Sequence, residues 1–85
     1  MTNAQSAALW DRLYREVVQA EIKHIQAQAQ MDRILAESPS GVSYSDSLYR
    51  RTKAQNEVGT ALDDYQRAIA RFRAFADEGI VPDDL

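Results

Sequence analysis

The middle of this chain is where its helical pattern stops. Ser38-Pro39-Ser40-Gly41-Val42-Ser43-Tyr44-Ser45-Asp46 is the one interior stretch without helical periodicity, and it nearly halves an 85-residue sequence. Pro39 biases Ser38 away from the helical region, Gly41 permits positive φ, and serine and aspartate favour turns and helix starts. The chain before the break reads as one helix over about 4–37, and the chain after it as a second over about 46–78. Residues 38–45 make the turn and 79–85 a short tail. The expectation is a single all-α domain folded as an antiparallel two-helix hairpin.

The first helix carries two apolar stripes. Trp10, Leu13, Val17, Ala20, His24, Ala27, Met31 and Ile34 recur in alternating steps of three and four, the signature of a seam for a neighbouring helix. Tyr14, Val18, Ile22, Ile25 and Ala29 form a second stripe beside it. A helix in a simple hairpin needs one apolar face, and one with two needs a second neighbour. The chain offers no third long helix, and a lone hairpin buries a seam rather than a core. Cysteine is absent, so no disulfide can compensate. The sequence therefore predicts self-association, with two hairpins joined in a four-helix bundle.

The second helix is polar in its first turns. From Val58 onward it gains the stripe Val58, Ala61, Leu62, Tyr65, Ala68, Ile69, Phe72 and Phe75. Gly79 suits a left-handed helix ending, Ile80 can fold back on Phe75 or Ala76, and Pro82 prevents the helix from resuming. Asp83-Asp84-Leu85 is expected to fray. Folding about the turn pairs positions whose numbers total about 83. Trp10 then meets Phe72, Val17 meets Tyr65, and Gly59 lies opposite the His24 imidazole. Trp10, Phe72, Phe75, Ile80 and Val81 are expected to plug the open end.

Composition narrows the function. A net charge of −3 argues against a general binder of nucleic acid or anionic lipid, each of which demands a basic face. No apolar run approaches the ~20 residues of a membrane span. The start, Met1-Thr2-Asn3-Ala4-Gln5, lacks the basic and apolar regions of a secretory leader, so a cytoplasmic protein is expected. With no cysteine nucleophile, one histidine, no Ser/His/Asp grouping and three isolated glycines, no enzymatic activity and no cofactor are expected.

Glu21-x-x-His24 is the nearest approach to a metal motif, because residues three apart share a helix face and ferritin-like bundles present ligands this way. Packing of His24 in the seam is the simpler account. Arg50, Arg51, Lys53, Arg67 and Arg71 are candidate anion ligands, but Glu57, Asp63 and Asp64 interleave with them. Tyr44 and Tyr49, at the turn end where a hairpin has least to bury, are candidate anchors for a partner.

Two long helices joined by a Pro/Gly turn and closed by a short hydrophobic segment resemble, in layout, small bacterial and phage hairpin proteins. These include secretion-apparatus chaperones, needle subunits and antiactivators that sequester a regulator. The sequence thus predicts a small regulator, inhibitor or chaperone acting by protein contact. Tyr14, Val18, Ile22, Ile25 and Ala29 are its expected surface for a partner or a second copy. The alternative is a ligand-binding bundle using Glu21/His24 or the arginines.

Overall fold

The computed structural model describes residues 2–37 and 44–85, with the side chains of 44 and 45 excepted. Two helices pack against each other: α1, Asn3–Ala36, and α2, Tyr44–Glu78. The α2 helix starts two residues earlier than the sequence reading places it. The turn over 38–43 lies outside the described residues. The hairpin is a rod of 62 × 17 × 17 Å. Neither helix is long and apolar enough to cross a membrane.

Local chemistry sets the helix ends. Thr2 caps α1 by a reciprocal pair: Gln5 N–H donates to Thr2 Oγ1 at 3.1 Å, and Thr2 N–H donates to Gln5 Oε1 at 2.9 Å. Two orphan donors of the first turn are thereby satisfied. At the far end Gly79 adopts φ +70, where its N–H reaches the Phe75 carbonyl at 2.9 Å. Ile80 N–H then donates to the Ala74 carbonyl at 3.1 Å. A left-handed residue is what turns the chain back here, and glycine adopts that conformation without a Cβ penalty.

From Leu13 onward the seam of α1 packs as its periodicity predicts. Leu13 is fully buried, and Val17, Ala20, His24, Ala27, Met31 and Ile34 are half-buried. From α2, Ala54 and Ala68 are buried, with Val58, Ala61, Tyr65, Phe72 and Phe75 half-buried between and beyond them. Assigning these as heptad positions a and d places Glu16 and Glu37 of α1, and Arg50 and Arg71 of α2, all at position g. The structure pairs them: Glu37 accepts from Arg50 at 3.1 Å, and Glu16 lies 3.5 Å from Arg71. In an antiparallel pair the g positions share one edge of the rod and the e positions the other. One edge is accordingly charged.

These ion pairs also correct the register. Both place residue i of α1 opposite residue 87 − i of α2, about one helical turn from the expected alignment. Trp10 still reaches Phe72, with ring centroids 5.2 Å apart, because long aromatic side chains span a turn. His24 does not face Gly59; it stacks near Tyr65, centroids 6.2 Å apart and planes inclined by 22°. A Cβ built on Gly59 would meet nothing within 4 Å. Gly59→Ala is therefore expected to stabilise the protein by about 1 kcal/mol, the helix-propensity difference, with no clash to offset it. Thermal denaturation should show a midpoint about 4–8 °C higher; an unchanged or lower midpoint would refute the open placement.

The tail is not frayed. After Gly79 the chain folds back, Leu85 N–H closes a turn on the Pro82 carbonyl at 3.2 Å, and Pro82 is half-buried. Arg71 Nη1 donates to both oxygens of Asp84, at 2.9 and 3.1 Å.

Candidate interaction surface

The second stripe of α1 stays uncovered. Tyr14, Val18, Ile22 and Ile25 are between 36% and 57% exposed, and Ala29 is exposed with them. The physical reason is the seam itself. Turning the buried heptad toward α2 commits one face of α1, and the second stripe occupies positions b, e and f, outside that contact. Their exposure follows from having one neighbour where the pattern asks for two.

At the open end the expected plug is instead an open cluster. Trp10 and Tyr14 stack face to face, centroids 5.2 Å apart and planes 9° from parallel, while Phe72 meets Trp10 edge-on. Tyr14 lies 5.9 Å from Phe72. Yet Trp10 is 45% exposed, and Ile80 and Val81 also remain in solvent. Two helices cannot enclose rings of this size, so the cluster continues the apolar stripe onto the surface.

The apolar residues favour one edge of the rod. Opposite the charged edge, the e positions are Tyr14, Glu21, Gln28 and Leu35 on α1, and Leu48, Gln55, Leu62 and Ile69 on α2. Tyr14, Leu35, Leu48 and Leu62 are exposed there, flanked by Val18 and Ile25. The periodicity of α1 marked Tyr14, Val18 and Ile25. The contribution of Leu62 and Leu48 was missed, because it depends on which edge of α2 falls beside them.

The other sequence candidates are scattered. Glu21 is exposed at position e and His24 is turned into the seam, and among the described residues no group of three or more His, Asp or Glu could hold a metal. Arg50 and Arg71 are taken up by Glu37 and Glu16. Lys53 lines an open cleft of about 510 Å³ with Lys23, Tyr49, Asn56, Glu57 and Asp64. Acid and base alternate in that cleft, so it presents no anion site. Arg51 and Arg67 are exposed on different sides of α2. Tyr49 is 68% exposed, the most exposed large hydrophobic residue among those described. Tyr44 opens α2, and its side chain lies outside the described residues.

Arg71 joins three segments: its own helix, Glu16 of α1, and Asp84 of the tail. Its Nε is buried and directs no hydrogen bond, although Glu16 Oε2 is near enough for an ion pair. The Asp84 hydrogen bond, more than the Coulombic pull of Glu16, raises the Arg71 pKa above its ordinary value. The same bond holds the Asp84 carboxyl below its ordinary 3.8, with a smaller pull from Arg71 and Arg12 charge. A carboxylate whose folded pKa is depressed stabilises the fold above its unfolded value, and loses that contribution as pH falls through the folded one. Tail docking should thus be at full strength above pH 3.8 and weaken progressively as pH falls below that value through the lower folded pKa. The Leu85 amide resonance would report this in a pH titration. Asp84→Asn should give the released spectrum at neutral pH; a docked spectrum in that variant would show that packing, not charge, holds the tail.

Comparison with known proteins finds no matching family model, no matching curated protein and no matching solved structure.

Proposed function

We propose that this chain is a non-enzymatic protein–protein interaction module whose hairpins self-associate into a four-helix bundle. The bundle would serve as a small regulator, inhibitor or chaperone, offering its remaining helix surface to another protein. The observation that carries this reading is the continuous exposed stripe Tyr14, Val18, Ile22, Ile25 and Ala29 on a protein with almost no interior. Among the described residues, Leu13, Ala54 and Ala68 make up the buried apolar set.

Surface area supports the same reading. The chain exposes 6343 Å², whereas a compact monomer of its 9.6 kDa exposes about 5,100 Å² by the scaling of surface with mass. The excess of about 1,200 Å² exceeds the roughly 800 Å² per partner of a standard interface. Exposed apolar surface arranged in a stripe favours a helix as the occupant, because helical ridges match the i, i+3, i+4 spacing. The alternative of a ligand-binding bundle gains no such support, since Glu21 is exposed while His24 is half-buried beside Tyr65, and the arginines are paired or dispersed.

Light scattering across a dilution series tests the reading. The natural chain should show a mass of at least twice the monomer, unchanged by EDTA. Ile22→Glu with Ile25→Glu should yield monomers, because an unpaired carboxylate in an apolar interface costs several kcal/mol. A monomeric natural chain would remove self-association from the proposal. An unchanged mass in the double variant would show that another surface is used.

A further inference from the structure

Resting on the self-association just proposed, we infer that Glu21 limits the strength of that contact and makes it respond to pH. Glu21 is exposed at position e of α1, between the seam and the outer stripe. Val18 stands three residues before it and Ile25 four after it, the spacings that place side chains on one helix face. A second copy that covers Val18 and Ile25 therefore covers Glu21 as well. Three acids lie on the e and b strips of α1. Asp11 pairs with Arg15, and Asp32 accepts from Gln28 Nε2 at 3.0 Å. Glu21 alone has no hydrogen bond or ion pair among the described residues.

What Glu21 meets in the assembly does not depend on how the second copy is turned. A twofold joins a patch to itself, so the facing groups are drawn from this same edge. If α1 lies on α1, they come from Val18, Ile25, Gln28 and the acids. If α1 lies on α2, the e and b strips of α2 offer Leu62, Gln66 and Ile69 near the level of Glu21, since residue i stands at the height of residue 87 − i. Among the described residues Arg73 is the one base of all these strips. It is level with Tyr14, about 10 Å from Glu21 along the axis. Arg15, on the outer face of α1, is engaged by Asp11, and Asp63, on the outer face of α2, adds a further acid. Lys23 stands on the charged edge, and His24, one turn on, is turned into the seam beside Tyr65.

A carboxylate moved from water into an apolar contact, with no base beside it, holds a proton more tightly. Assembly then takes up protons, and acid favours it. At neutral pH a free glutamate is charged, so the contact bears the whole cost of desolvating Glu21. That cost is relieved as pH falls and the assembled form binds its proton. The gain comes at higher pH than the weakening of tail docking, which sets in below 3.8.

The dimer dissociation constant, measured by analytical ultracentrifugation between about pH 7 and about pH 4.5, tests this on three chains: the natural one, Glu21→Gln and Glu78→Gln. Glutamine matches glutamate in size and helix propensity, so the fold is kept. Glu78 is exposed at position g, on the charged edge, and its replacement removes the same charge away from the contact. Glu21→Gln should tighten the dimer at pH 7 by about tenfold, the worth of one unit in proton affinity. It should also lose the gain that the natural chain shows on acidification. Glu78→Gln should follow the natural chain. Dimers of equal strength in the two variants would place Glu21 outside the contact, overturning this inference and leaving self-association standing. Weaker association of Glu21→Gln would mean that a base pairs with Glu21, and would overturn it equally. A Glu21→Gln dimer that tightens in acid as the natural chain does would assign the response to His24 instead. Monomers of all three chains at every pH would overturn this inference together with the reading it rests on.

Discussion

Two helices in contact share one seam, and no arrangement of two rods gives either of them a second buried face. This limit governs the whole molecule. Leu13 sits at zero exposure within that seam, where Ala54 and Ala68 of α2 are buried as well. Everything on α1 beyond that contact must meet either solvent or another molecule. The uncovered stripe, the half-open aromatic cluster and the large surface for the mass are consequences of that limit. A third layer, which a single chain of this size lacks, is what a partner would supply.

Charge is distributed to fit the same geometry. Where the g positions face each other, glutamate on α1 meets arginine on α2, and these pairs set the height of one helix against the other. Exposed ion pairs add little stability of their own, but a misaligned register would leave like charges adjacent, so they discriminate between alignments that the apolar seam tolerates nearly equally. Arg71 extends the discrimination to the tail. It holds α1 through Glu16 and the chain end through Asp84, closing the polar edge and leaving the apolar edge as the free one. The molecule is thus two-sided, with its interhelix ion pairs on one edge and exposed apolar residues on the other.

The fold class and the division of α1 into a packed and an unpacked stripe were legible in the sequence, because both follow from helical periodicity and from the break at Pro39 and Gly41. The Gly79 ending was legible for a similar reason: it involves residues a few positions apart, whose geometry the helix itself dictates. The alignment of the helices was not, and reading it from the turn misplaced His24 against Gly59. Alignment depends on how side chains interdigitate along the whole seam, and a single turn's difference scarcely changes the apolar pattern. The docked tail was also missed, since Arg71 and Asp84 lie thirteen residues apart and meet only because Gly79 reverses the chain.

The sequence by itself determined two amphipathic helices, their ends, and the excess of apolar surface on α1, all set by spacing along one chain. Tertiary structure alone decided which edge of the rod is charged and which is apolar. That choice places Leu62 and Leu48 beside the α1 stripe and takes Arg50 and Arg71 out of any basic patch. The reason is that an edge is made by two helices together: its character depends on their relative height and rotation, which neither helix encodes separately.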